Sequence, residues 1–357
     1  MIDLIIGSLI TGWDTLAGYL AEHVITCLIP AFFIAGAIAS FVKKEAILKY
    51  FSPGAKKSVS YGLASVSGTV LAVCSCTILP MFAGLFKRGS GIGPATTFLY
   101  AGPAINILAI VYTAKVLGFD LGLARAVFAI IIAIIIGLIM AVLFKTHDEE
   151  TKKKLAKMSQ LPVSPDTEKP KWVVPSFFVL LVGILIAGTA QVDWMIKFPI
   201  IYILTLAVAV LLIYYFERDE VTEWGLETWD LTKKIFPILI VGTFLLGMLS
   251  FFIPPETFQP FFGTNSLQST LLASFVGTIL YMPTLLEVPV IGTTFGYTSG
   301  MMAGGPALAL LLSGPSVSLP SLLVISKVMG WKKTGVYAVL VITFSALAGF
   351  TYGILLG

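Results

Sequence analysis

Charge is what this chain has least of. Only 12% of its 357 residues are Asp, Glu, Lys or Arg, while 57% are hydrophobic and mean hydropathy is +0.96. A soluble globular domain carries about 25% charged and about 45–50% apolar residues. The excess apolar surface cannot be hidden in a water-soluble core, which excludes a soluble enzyme, a disordered protein and a nucleic-acid binder. The apolar residues run continuously instead of alternating with polar ones, so an outer-membrane barrel is excluded as well. Cysteine is scarce: three residues cannot build a disulfide framework. Histidine is scarcer, and neither His23 nor His147 has a ligand partner near it in sequence. With no Cys-x-x-Cys and no Cys/His constellation, no metal is expected. The chain has no HExxH, no phosphate-binding Gly-x-x-x-x-Gly-Lys-Ser/Thr and no Asp-rich diphosphate motif. No cofactor is expected, and energy for any transport must come from an ion gradient or a separate partner. No Lys or Arg precedes Lys43. A basic leader region is therefore missing, and the first apolar segment is expected to be retained as structure.

Long apolar blocks are what the chain does have. One membrane span needs about 20 residues, so the chain can supply about eight to ten. A single block covers 15–42, with an amphipathic start at 1–14. Interrupted blocks follow at 61–86 and 92–117, and 121–144 is the cleanest span. Further blocks fall at 172–190, 198–216, 235–253, 269–296, 305–328 and 333–356. The expected fold class is an all-α polytopic membrane protein of two structural repeats with discontinuous helices. The expected organisation is a first half-bundle at 1–144, a Lys-rich polar loop at 145–171, and a connecting transmembrane pair at 172–216. An acidic loop at 217–232 and a second half-bundle at 233–357 complete it. Lys-rich loops favour the cytoplasm. If every block crosses, parity separates the basic stretches 43–57 and 145–171; one re-entrant block would place them together.

The two halves repeat. Gly68-Thr69 matches Gly277-Thr278 and Pro80 matches Pro289, at an offset of 209. Pro94 matches Pro306, and Gly102-Pro103 matches Gly314-Pro315, at an offset of 212. Pro30 and Pro237 open related apolar helices. Proline removes a backbone donor, and broken backbone survives in a membrane only where protein buries it or water reaches it. Breaks at Pro80, Gly102, Pro103, Pro289, Gly314 and Pro315 therefore mark the expected substrate site, as in transporters built from repeats. Ser75, Thr77 and Asn106 flank the breaks of the first half; Thr284, Ser316 and Ser318 flank those of the second. The competing reading for these residues is helix–helix hydrogen bonding and small-residue packing.

Cys74 and Cys76 flank Ser75, four residues before Pro80. On a regular helix their side chains diverge; they converge only where the segment is unwound. A buried cysteine ordinarily behaves as a small hydrophobe, whereas a thiol pair at a helix break suits a thiophilic ligand. Cys27 has no partner in sequence and is a candidate third thiol. Glu287 is an acidic residue deep in an apolar block, two residues before Pro289. A carboxyl there is a functional candidate by default, and proton coupling is the role expected of it. Lys87 and Arg88, in the turn Phe-Lys-Arg-Gly-Ser-Gly, read as interfacial residues whose side chains reach for water.

The stretch VCSCTILPMFAGLFKRGSGIGPATTFLYAGPAIN, with the later EVPVIG and GGPALALLLSGPSVS, resembles the predicted permeases of ArsP and YraQ type. The resemblance covers most of the chain. It implies a multi-pass permease of the inner membrane, not an enzyme. Some members of the family resemble exporters of trivalent methylarsenicals, and the thiol pair carried over is Cys74 and Cys76. The alternatives are a permease for another small anion or sulfur compound, a gated channel, and a membrane thiol–disulfide enzyme. The last needs an accessible, activated thiolate, and no basic residue lies near Cys74 and Cys76. The expected partners are a small-molecule substrate, the lipid bilayer and a second copy in a homo-oligomer, with no nucleic acid.

Overall fold

The computed structural model describes residues 2–21, 28–41, 51, 56–71, 75–158, 170, 172–189, 193–252, 260–280 and 287–356. Every regular element among them is helical. The protein is an all-α polytopic membrane protein. Four helical stretches, Ile92–Val116, Phe119–Leu143, Met195–Tyr215 and Trp331–Leu356, are long and apolar enough to cross a bilayer by themselves. At about 1.5 Å per residue, the 25 residues of Phe119–Leu143 reach about 37 Å, enough for a hydrocarbon core of about 30 Å.

The first half contains α1 (Ile2–Tyr19), α2 (Ile29–Phe41), α3 (Lys57–Leu71), α4 (Ser75–Lys87), α5 (Ile92–Ala104), α6 (Ile107–Val116) and α7 (Phe119–Leu143). Within the expected block at 15–42 the described residues hold the end of α1 and all of α2, and 22–27 lie outside the described residues. The Lys-rich loop opens with a polar helix, α8 (Lys145–Met158), where an unstructured loop was expected. α9 (Val173–Thr189) and α10 (Trp194–Tyr215) form a packed pair. α11 (Arg218–Phe252) runs unbroken from the acidic segment through Pro237, so the expected loop at 217–232 is the opening stretch of a long helix. Its acidic first turn, Asp219 and Glu220, suits the positive end of the helix dipole. α12 (Leu267–Ile279) follows. A single helical turn, Glu287–Pro289, then passes directly into a π-helical turn, Val290–Thr294. α13 (Gly304–Ser313), α14 (Leu319–Met329) and α15 (Trp331–Leu356) complete the chain.

Both ends of the segment 52–90 lie together, because the Gly91 N–H donates to the Phe51 carbonyl at 2.7 Å. The start of α3 and the turn after α4 therefore lie at one end of the bundle. That same end holds Asp148, which accepts from the Ile92 N–H at 2.9 Å. It also holds His147, stacked on Phe86 with ring centroids 5.4 Å apart, and Lys333, 5.9 Å above the Phe86 ring. The basic stretches around 56–57, 87–88, 145–153 and 332–333 therefore share one end of the molecule. At the opposite end Asp120 acts electrostatically on Tyr297 and Tyr352. There too the Gly305 N–H donates to Asn265 Oδ1 at 2.8 Å.

These contacts fix direction. α7 runs toward the basic end and α15 runs away from it, although Gly118 and Gly330, which precede them, are 212 residues apart. The same offset relates other features. Asn106 caps α6 and Ser318 caps α14. A Cβ on Gly93 would lie 2.9 Å from the Gly137 carbonyl, and a Cβ on Gly305 would lie 2.8 Å from the Gly349 carbonyl. In both places only glycine lets the α5–α7 and α13–α15 backbones meet this closely. α4 packs on α14, while the Glu287 turn packs on α6.

Candidate functional site

Arg125 sits in the second turn of α7, the most hydropathic of the four candidate spans, with its side chain completely buried. An arginine stays protonated in proteins, so its charge must be met by a partner. The partner is Glu287, also completely buried, whose Oε1 lies 2.6 Å from Arg125 Nη2. Arg125 Nη1 donates to Thr113 Oγ1 at 2.9 Å, and Thr113 in turn donates to the Ala109 carbonyl at 2.7 Å. Thr113 lies on α6, so the break at Ile105-Asn106 sets the helix that positions the guanidinium. Glu287 lies on the short turn after α12, so the second break sets the carboxylate.

The pair is close but incompletely satisfied. The Nη2–Oε1 contact lacks hydrogen-bond alignment, and Arg125 Nε and Glu287 Oε2 have no hydrogen-bond partner among the described residues. Nε and Nη2 form one edge of the guanidinium, two donors in a plane. That edge faces a carboxylate that meets only one of them. Buried charges are ordinarily both paired and fully hydrogen-bonded, so this shortfall marks the pair as unusual.

A second polar group lies beside it. Tyr100, buried on α5, is within electrostatic reach of Arg125 and of Tyr337 on α15. Its hydroxyl donates to the Leu312 carbonyl at 3.2 Å. That carbonyl is available because α13 ends at Ser313: the Ser316 N–H turns back to the Ser313 carbonyl, and Pro315 has no N–H to give. The Ser316 hydroxyl also donates to Leu312, at 3.1 Å. The Gly314-Pro315 break thus creates an acceptor that a tyrosine of the other half reaches. The Tyr337 hydroxyl is buried without a partner among the described residues.

The expected site residues divide. Glu287, Ser316, Gly102, Pro103 and the break at 314–315 are buried. Asn106 and Ser318 cap their own helices: Asn106 Oδ1 accepts from the Leu108 and Ala109 N–H groups at 3.0 and 3.4 Å, and Ser318 Oγ accepts from Ser321 N–H at 3.4 Å. Their polar atoms are used by the backbone, which supports the structural reading of both. Pro80 does not break a helix, contrary to expectation. It stands within α4, whose first turn holds the carbonyl its absent N–H would have used. Pro103 likewise lies inside α5, and the break follows it at Ile105-Asn106. Pro289 leads into the π-helical turn. Thr77 is buried on α4. Cys27, Cys74 and Thr284, and the side chains of Ser75 and Cys76, lie outside the described residues. Lys87 pairs with Glu227 and Asp230, and Arg88 Nη2 reaches the Ser40 carbonyl at 2.5 Å. No group of three or more His, Cys, Asp or Glu with metal-binding geometry occurs among the described residues.

Arg125 was missed by sequence reasoning, which took 121–144 as uninterrupted. The signal was present: a lone arginine in an apolar helix needs a buried counter-charge.

The chain is 41% identical over 355 residues to UPF0718 protein MJ0584 of Methanocaldococcus jannaschii, covering 96% of this chain and 95% of that one. It is 24% identical over 258 residues to UPF0718 protein YraQ of Escherichia coli, covering 71% of this chain and 56% of that one. No solved structure matches it. The profile of the ArsP_1 family matches residues 4–354, and the chain belongs to this family of predicted permeases.

Proposed function

We propose that this membrane permease is a secondary transporter of the inner membrane, built from two inverted repeats that alternate access to a site centred on Arg125 and Glu287. One observation carries the reading: a completely buried, incompletely hydrogen-bonded ion pair between two sets of broken helices. Such pairs are costly and mark substrate or ion paths in membranes. The inversion is supported by α7 and α15, which share an offset of 212 and run in opposite directions. It is supported further by the reciprocal packing of α4 on α14 and of the Glu287 turn on α6. Tyr100 and Leu312 are also 212 apart and touch. A residue that touches its own equivalent lies at a two-fold axis. Glu287 is assigned the proton. The basic end is assigned to the cytoplasm, following the excess of Lys and Arg there.

For the cargo, the pair Cys74 and Cys76 favours export of a thiophilic species such as a trivalent methylarsenical, with Cys27 as a third thiol. Arg125 favours a second reading, a small anion. The test is uptake by everted vesicles with and without a proton gradient. Trivalent methylarsenite should accumulate against its gradient with the wild type and not with Cys74→Ser/Cys76→Ser. Glu287→Gln should abolish gradient-driven accumulation of whichever cargo is carried. Full proton-driven transport by Glu287→Gln would overturn the site.

A further inference from the structure

We infer that the Arg125–Glu287 pair binds a singly charged oxyanion together with one proton, the anion taking the guanidinium edge that Glu287 now occupies. The inference rests on reading this pair as the transport site and names the class of its ligand.

The argument is one of charge conservation in a buried place. As it stands the pair is neutral: one guanidinium, one carboxylate, both completely buried. Arg125 cannot release its proton. Its charge therefore remains whatever Glu287 does. If Glu287 takes a proton, the site is left with an unmet positive charge, which is expensive in a low dielectric. An anion of one charge restores neutrality. A cation would add to the charge of Arg125 and a dianion would overshoot it. Proton and monoanion thus enter and leave as a pair, and the site carries no net charge before or after.

Geometry selects the oxyanion. Nη1 is held by Thr113, whose own hydroxyl proton is spent on the Ala109 carbonyl. The remaining edge, Nε and Nη2, offers two parallel donors, and Nε has no partner among the described residues. Two parallel donors fit two oxygens of one planar or tetrahedral oxyanion. Glu287 meets only one donor, so a better-placed oxyanion gains a bond that the resting pair does not make.

The neighbouring groups leave this balance to the pair. From α6, packed beside the Glu287 turn, Lys115 and Tyr112 are exposed. From α5 and α15, Tyr100 and Tyr337 approach on the arginine side. Asp120 at the start of α7 acts on Tyr297 and Tyr352, toward the far end of the bundle.

The experiment uses the purified full-length chain and three monoanions that do not titrate between pH 6 and 8: nitrate, formate and methanesulfonate. Gluconate serves as a bulky control. Binding of at least one of the three to the wild type should tighten as pH falls from 8 to 6, by up to about tenfold per pH unit, with up to about one proton taken up per anion bound. Glu287→Gln should bind the same anion at pH 8 with no dependence on pH. Arg125→Met should lose it at every pH. Binding without proton uptake, binding that survives Arg125→Met, or no binding to the wild type at pH 6 overturns the inference. If Glu287→Gln does not fold, proton uptake by the wild type decides. Proton-driven transport that Glu287→Gln abolishes, without any anion binding, would leave the transport reading standing and remove this one. Coupled binding in a protein that transports neither these anions nor methylarsenite would do the reverse.

Discussion

Arg125 and Glu287 hold each other in place at a cost the surrounding residues only partly offset. Removing one partner leaves an uncompensated buried charge or an unpaired carboxyl, worth about 3–5 kcal/mol. Replacing both with apolar residues of similar size removes the desolvation penalty along with the attraction. Thermal melts of Arg125→Met and Glu287→Leu should therefore show large losses, and the double variant should recover most of them while remaining inactive in transport. Additive losses in the double variant would show that the two side chains do not act as a pair. Glu287 was legible in the sequence because a carboxylate among Leu, Val and Pro stands out. Arg125 was passed over because it sits near the start of an otherwise uniform run of Ala, Ile and Leu. Its partner lies 162 residues away, a distance no local pattern reports. Asn106 and Ser318 were legible as polar residues beside breaks; that their oxygens cap the helices they precede follows from backbone geometry that composition does not carry.

At the level of elements, the close approach of α5 to α7 and of α13 to α15 depends on glycine. Gly137→Ala would place a methyl group against Thr97 and the Gly93 carbonyl, and Gly349→Ala would press on Ala309 and the Gly305 carbonyl. Both should lower the melting temperature. Gly225→Ala, on α11 with nothing within 4 Å of the added Cβ, should be neutral or raise stability by about 0.5–1 kcal/mol. Asp148 of α8 ties the polar helix to the start of α5. Burial holds its carboxyl above the ordinary carboxylate range, opposed by the Ile92 N–H and by Lys333 and Lys152. The folded protein thus binds this proton more tightly than the unfolded chain. The contribution is favourable at low pH and turns into a penalty as pH rises through the carboxylate range. Asp148→Asn keeps the acceptor and sheds the charge, so its melting temperature relative to wild type should be higher at pH 7 than at pH 4. Asp148→Ala leaves the Ile92 N–H without its acceptor and should cost about 1–3 kcal/mol. The breaks themselves were half legible. Gly314-Pro315 falls where a helix ends. Pro80 does not: it stands inside α4, which runs on through it at the loss of one backbone hydrogen bond.

Across the whole molecule, the arrangement of ends is the most exposed claim. In a background without native cysteines, single cysteines at Lys56 and Lys152 should react with a membrane-impermeant reagent from the same side. Those at Asp120 and Ser299 should react from the other. A split between the first two would show that the segment 52–90 crosses the membrane. The all-helical class and the paired landmarks were legible because hydropathy and proline spacing are local. The direction of each half was not, since it depends on whether an interrupted apolar block crosses or turns back. That choice turns on single contacts, such as Phe51 to Gly91, which local patterns do not report.

Lys87 binds Glu227 and Asp230 at the basic end, tying α4 to α11. At the offset of 209 its equivalent is Gly296, which has no side chain to make such a bond. Two halves that exchanged shapes with perfect evenness would rest equally often open to either side. Among the described residues the Lys87 bridge has no counterpart at Gly296. If the halves exchange shapes as proposed, that bridge would favour closure on the basic side, and salt, which weakens exposed ion pairs, would shift the resting population before it touched the site itself.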